Sequence, residues 1–425
     1  MSEFEESDQN FQITNVAQLQ RWLPWLRMFR GFRIAIDYQK MLAAFFAVVL
    51  WGLVSSLLTF MLVGQNENSP SSITSRQFPV SQQIRFSNPQ ERIDVVRSMR
   101  SDPLTAVISR SNKVSWFYEN VTQSILGLVT FHNYRWWWHA WLQLLWGLVI
   151  AAVFGGLISR MAAREFTGQG RSLIRDTKFS LKQAPIVLMA PLISLVSFAL
   201  LWSINWISGF VGRIPVVGEI VLAICWGMFL LSGLILFLLL LGLILGWPLM
   251  VCSGAVEKND TFDALSRAFS YLLNRPWYAL FLTCIAFAYG SLTMLFVTFA
   301  TSLTVTLSFS SVGAGLGQEI SITSFNNLLV LKDLSQGYFE NSFATKILGL
   351  WIGAALLIPA AYAFSFFWTS TTIGYFLLRR REDGTPLHEI ELNDSQTQSR
   401  PELAVVGIPA AELRENNDKA PSDPY

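Results

Sequence analysis

The chain has 425 residues, of which 52% are hydrophobic and 14% charged, and its formal net charge is +2. A soluble domain carries about 25% charged residues, and here the apolar residues cluster into long runs, so a soluble globule is excluded and an integral membrane protein is expected. The near-zero total charge offers no basis for nucleic-acid binding, whereas the distribution of charge along the chain carries information.

Residues 1–40 form a first segment. In "AQLQRWLPWLRMFRGFR", Leu19, Trp22, Leu23, Leu26 and Phe29 fall at helical spacing, flanked by Arg21, Arg27, Arg30 and Arg33. This predicts a basic amphipathic helix on the membrane surface, attracted in a general way to anionic headgroups. Residues 41–63 are apolar for longer than a signal-peptide core, which predicts an uncleaved first span.

Residues 64–140 read as an extracytoplasmic loop. "NPQERIDVVRSMRSDP" predicts a short helix within residues 87–109, between Asn88-Pro89 and Asp102-Pro103. Asn120 opens an "NVT" sequon that matches a glycosylation acceptor on an external loop. Tyr134, Trp136, Trp137, Trp138 and Trp141 predict an aromatic belt at the outer interface. His132 and His139 share that zone and read as interfacial side chains rather than metal ligands.

Five further spans are expected at residues 141–158, 185–207, 216–247, 278–307 and 348–378, making a membrane domain over 141–378. Each is set against the roughly 20 residues that cross the hydrocarbon core. The fourth span exceeds that length and should tilt or project. Gly313, Gly315 and Gly317 miss a nucleotide-binding spacing and read as a flexible loop. Residues 379–425 begin with Arg379, Arg380 and Arg381 and continue as a polar, disordered tail. Cys225, Cys252 and Cys284 lie in or beside apolar runs and show neither disulfide nor metal spacing. No metal or cofactor is expected.

Lysine and arginine set the orientation. They cluster before span one, between spans two and three, between spans four and five, and after span six. This predicts a multi-pass protein of the bacterial cytoplasmic (inner) membrane with both termini cytoplasmic. Arg92, Arg97 and Arg100 lie in the outer loop, but loops longer than about 60 residues translocate largely regardless of charge. Between spans two and three, Arg171, Arg175, Lys178 and Lys182 fall on one helical face, a binding surface for anionic lipid headgroups.

The two basic loops echo one another. A shift of 92 positions sets Ala163 on Ala255, Glu165 on Glu257, Leu173 on Leu265 and Arg175 on Arg267. Pro185 and Pro276 then each open the next span. Two readings stand: a parallel hairpin repeat over 141–207 and 216–307 with amphipathic loop helices, or a coincidental alignment of apolar sequence. In the second loop Phe262, Leu265, Phe269, Leu272 and Leu273 form an apolar stripe after a cap at Asn259 or Asp260.

No span carries an ionisable residue near its middle, which argues against ion-coupled transport. Glu165, Glu257 and Arg267 form a candidate polar interface. Either glutamate could serve chemistry, or each pairs with a neighbouring arginine or caps its loop. No enzyme is expected. Gly242-x-x-x-Gly246, Gly349-x-x-x-Gly353 and Ala152-x-x-x-Gly156 read as close-packing motifs, and Pro191 and Pro359 as kinks. The run Ser365–Tyr375, "SFFWTSTTIGY", either lines a pocket or bonds back to its own helix.

"DTFDALSRAFSYLLNRPW" resembles the amphipathic loop segments of the family built around the membrane domain of glycerophosphodiester phosphodiesterases. That family's catalytic domain is a separate soluble barrel with no counterpart here, so the resemblance implies a membrane module without phosphodiesterase activity. The expectation is an all-α polytopic transmembrane helix bundle with six spans and cytoplasmic amphipathic loop helices. Its partners are the lipid bilayer and other membrane proteins. Its role is a non-catalytic component that organises lipids or partner proteins. The alternative is a transporter or lipid-handling channel with a cavity among spans three to six.

Overall fold

The structure is a computed structural model that describes residues 23–62, 114–129, 134–169, 173–215, 217–257, 260–315 and 342–385. Among these residues the regular elements are all helical. They are α1 (Tyr38–Leu62), α2 (Trp116–Val129), α3 (Tyr134–Thr167), α4 (Leu173–Gly209), α5 (Val217–Glu257), α6 (Thr261–Asn274), α7 (Pro276–Gly315) and α8 (Ser342–Glu382). Six of them, α1, α3, α4, α5, α7 and α8, are long and apolar enough to cross a membrane. The chain is therefore a multi-pass, all-α helix-bundle membrane protein. The helix expected within residues 87–109, the start of the N-terminal segment, His132 and the tail beyond residue 385 lie outside the described residues.

Most of these helices run past the spans expected from hydropathy. α5 has 41 residues and continues through Pro248 to Glu257, so its apolar run ends well before the helix does. The surplus is used for packing: residues 246–257 are buried throughout, whereas only 11% of the apolar window of α5 is buried. The far parts of α4 and α5 pair with each other and leave their other faces open, as lipid-facing helices do.

α4 departs from the expected loop geometry. Pro185 does not open a span; α4 runs through both Pro185 and Pro191 as one 37-residue helix. Pro185 is exposed, so its ring and the carbonyl it leaves without an amide partner point away from the bundle. Pro276, by contrast, does open α7, after Arg275 leaves the helical region at φ −133°, ψ 54°. The first loop helix is thus fused to its span and the second, α6, is separate. α7 also reaches Gly315, so Gly313 and Gly315 are helical rather than part of a loop.

The end of the predicted outer loop folds into the bundle. α2 packs antiparallel to α3, with Gly127 facing Ala140 and Val121 facing Gly147. Its apolar stripe, Phe117, Val121 and Ile125, is fully buried. Phe117 stands 5.3 Å from the Trp51 ring and 4.8 Å from Phe364, and Trp247 stands 5.9 Å from Trp368. These edge-on contacts tie α1, α2, α5 and α8 together. Asn120 sits within this packed helix and donates to Trp116 O at 2.6 Å, which removes the external-loop setting expected of the sequon.

The N-terminal segment also packs inward. Residues Pro24–Arg30 form a 3₁₀ turn and Gly31–Ala35 a short helix. Trp25 lies 5.9 Å from Phe281, Phe29 lies 4.9 Å from Tyr289, and Tyr289 donates to Phe29 O at 3.0 Å. Met28 and Ile34 are buried. Aromatic contacts with α7 thus replace the purely lipid-bound helix expected here.

Small residues permit three of the close approaches. A π-helical turn, Ala151–Gly155, interrupts α3, and Ser180 donates to Val153 O within it at 2.9 Å. A Cβ on Gly155 would lie 2.4 Å from the Trp368 indole, and one on Gly242 would lie 2.0 Å from Phe269 of α6. Gly156 faces Ala255. Gly353 faces open space, so the expected motif in α8 makes no close contact there. Gly155→Leu should lower stability by about 1–3 kcal/mol through overpacking. Gly353→Leu should stay within about 0.5 kcal/mol. Thermal unfolding in detergent distinguishes the two.

Candidate functional site

Ionisable side chains collect at one end of the bundle, where α1, α4 and α7 begin and α3, α5 and α8 end. Lys40, in the first turn of α1, is buried; it donates to Ile34 O at 2.7 Å, pairs with Glu165 of α3, and lies 3.7 Å from Asp37. Asp176 of α4 is buried with Arg160 and Arg164 of α3, whose Nε atoms lie 3.4 and 3.1 Å from its Oδ1. The Arg160 guanidinium also covers the Phe179 ring at 3.3 Å. Glu257, the last residue of α5, receives Arg267 of α6 at 2.5 Å and Arg379 of α8 at 3.0 Å.

Glu257 and Arg267 therefore come together as expected. Glu165 does not pair with Arg175, which the 92-residue shift sets on Arg267, but with a lysine 125 positions away. Sequence reading missed Lys40 and Asp176. A lone acid opposite a basic face, three residues before Phe179, was the available signal for Asp176. Arg175, Lys178 and Lys182 are exposed on that face, while Asp176, Ser180 and Gln183 are buried behind it. Arg171 lies outside the described residues.

α6 closes this end. Its bundle-facing side is Ala264, Ala268 and Tyr271 with Leu272, while Phe262 and Leu273 are exposed. The face is rotated from the expected stripe because the alanines admit the helix close to its neighbours. Asp260 holds the cap position without a side-chain cap bond. Burial opposes the charge on Arg267, but its hydrogen bond to Asp263 and the Glu257 carboxylate hold its pKa above the ordinary value. Burial, then the hydrogen bond it donates to Asp383, raises the Tyr271 phenol above its usual range.

At the opposite end, His139 is buried rather than interfacial. Its Nε2 lies 3.2 Å from Thr59 Oγ1, and Gln143 donates to Ser55 Oγ at 2.8 Å, so both serve the α1–α3 contact. Among the described residues no cluster of His, Cys, Asp or Glu could hold a metal ion.

Beside the charged end lies a cavity of about 300 Å³, at the lower end of ligand sites, which run to roughly 300–1,000 Å³. α5 lines it with Leu241, Leu245 and Leu249, and α7 with Ala279, Ala286 and Phe287. Phe366 and Gly374 of α8 form the back, and Leu272 of α6 closes the charged end. α5 and α7 do not pack along their lengths, and Leu245, Leu280 and Phe287 are exposed, so the cavity opens sideways between them. Its hydroxyls are engaged: Ser115 donates to Glu119 Oε1 at 2.5 Å, and the others turn onto backbone. Ser370 and Thr371 donate to Phe367 O at 3.0 and 2.7 Å, Thr283 to Ala279 O at 2.9 Å, and Tyr118 to Ile244 O at 3.0 Å. The wall is consequently apolar despite the polar letters of Ser365–Tyr375.

No family description, curated protein or solved structure matches the chain.

Asp176→Ala should destabilise by about 3–5 kcal/mol, because it leaves two buried arginines without their acid. Replacing Arg160, Arg164 and Asp176 together by Met, Met and Leu should recover most of that loss. Denaturation of the three proteins in the same detergent is the measurement.

Proposed function

We propose that this protein is a non-catalytic membrane component that organises lipid by admitting an acyl chain into the cavity between α5 and α7. The observation that carries this reading is the cavity's dry wall and sideways opening. Such a wall suits hydrocarbon, and the donors of its hydroxyls are already taken up within the protein. The engagement of Glu165 and Glu257 by cations supports the non-catalytic part. The likeness of α6 to the loops of glycerophosphodiester phosphodiesterase membrane domains fits a membrane module of this kind. The setting is the bacterial cytoplasmic membrane, with the charged end and both termini inside. The exposed row of Arg175, Lys178 and Lys182 then meets anionic headgroups on that side.

Gly374 offers the sharpest test. A Cβ there meets nothing within 4 Å and Gly374 lines the cavity, so Gly374→Leu extends a side chain into that space. Native mass spectrometry of the detergent-purified protein should find co-purifying lipid on the wild type and at least several-fold less on the variant. Equal lipid on both would overturn the reading. Orientation is tested with Trp277→Cys in a background lacking the three native cysteines, since Trp277 is 82% exposed. An impermeant maleimide should label this site only after the membrane is opened; labelling in intact cells would place the charged end outside.

A further inference from the structure

The cavity ends beside a set of cations that have no carboxylate partner among the described residues. Arg27 precedes Met28, and Arg380 and Arg381 follow Leu378; Met28 and Leu378 both line the cavity. Arg27 is half-buried, and its Nε is shielded from solvent with no hydrogen-bond partner. Burial, then the nearby charges of Arg380 and Arg30, lower its pKa, so three guanidinium groups share one neighbourhood. Arg381 stacks on Tyr278 with its guanidinium carbon 4.4 Å from the ring centre. None of these four arginines has a carboxylate partner among the described residues. The acids nearest in sequence are engaged elsewhere: Glu382 with Arg275 and Asn274, and Asp383 with Tyr271.

The dimensions fit one leaflet. The α7 wall runs from Pro276 to Phe287, which at 1.5 Å per residue is roughly 16 Å. That is about half of the ~30 Å hydrocarbon core. A molecule that fills the cavity and reaches the arginines has one apolar arm of leaflet depth and an anionic end. Guanidinium forks match phosphate oxygens in particular.

We propose that the cavity and Arg27, Arg30, Arg380 and Arg381 form a single site for an anionic phospholipid, with an acyl chain between α5 and α7 and the phosphate on the arginines. This rests on the acyl-chain reading of the cavity and adds the identity of the headgroup. The exposed row on α4 attracts any anionic surface; this site couples headgroup charge to tail burial in the same molecule.

The test compares phosphatidylglycerol and phosphatidylcholine of identical chains, offered to the full-length protein in mixed micelles, with bound lipid counted by native mass spectrometry. The wild type should prefer phosphatidylglycerol. Arg27→Gln with Arg380→Gln should reduce that preference on the order of thirtyfold and weaken phosphatidylcholine less, because its choline cation offsets the charge of the phosphate. Arg30→Gln, on an exposed residue, is the milder variant should the double one not fold, and it should lower the preference in the same direction. Gly374→Leu should remove both lipids, and free inorganic phosphate should not displace the bound phosphatidylglycerol. Equal binding of the two lipids by the wild type, or an undiminished preference in the arginine variants, overturns the headgroup assignment while leaving the cavity reading intact. Unchanged binding in Gly374→Leu overturns the cavity reading itself. Displacement by free phosphate shows an anion site independent of the tail and overturns the single-site proposal.

Discussion

Asp176 has no exposed surface, and Arg160 and Arg164 beside it are each 4% exposed. Charges so far from water are tolerated only when each has a partner of opposite sign. Lys40 with Glu165, Asp176 with its two arginines, and Glu257 with Arg267 and Arg379 meet that requirement. Each link joins different helices: α1 to α3, α3 to α4, and α5 to both α6 and α8. Buried pairs of this kind contribute little net stability, because desolvation offsets most of their attraction. Their effect is on register. Sliding any of these helices by one turn, 5.4 Å, would pull these buried charges out of the pairings described. The ends of α1, α3, α4, α5 and α8, which could otherwise slip along one another, are held level by that condition.

The aromatic layer depends on this registration. Trp368 meets the π-helical turn of α3 at Gly155, where no side chain larger than hydrogen fits. Phe117, brought in by α2, fills the space among Trp51, Trp247 and Phe364. α2 thus acts as a plug entering from the end opposite the charged layer. Charged end, aromatic middle and the α1–α3 polar contacts at His139 and Gln143 succeed one another along the bundle.

Six spans were legible in the sequence because hydropathy is a local property that a window of about 20 residues averages well. Their true ends were less so. Residues 248–257 continue α5 as a helix buried by neighbours, a circumstance that no single window records. α2 was missed because at 14 residues it is too short to register as a span, although Phe117, Val121 and Ile125 stand at the i, i+4, i+8 spacing of a buried face. The partnership of Glu257 with Arg267 was readable because ten residues and one turn separate them. That of Lys40 with Glu165 was not, since 125 residues intervene and tertiary packing alone brings them together. The run Ser365–Tyr375 realises both of its readings at once: Phe366, Ser370, Thr371 and Gly374 line the cavity, while Ser370, Thr371 and Thr372 bond back to the carbonyls of their own helix.

The sideways opening between α5 and α7 governs how any occupant arrives. A mouth of this kind faces hydrocarbon, so exchange proceeds by diffusion in the plane of the bilayer and involves no passage through water. Occupancy then follows the mole fraction of a lipid within one leaflet and is indifferent to its total amount in the cell or to the composition of the other leaflet. If lipid fills the cavity as proposed, occupancy would report membrane asymmetry: flipping a lipid from one leaflet to the other would change it as fully as adding or removing that lipid within the leaflet.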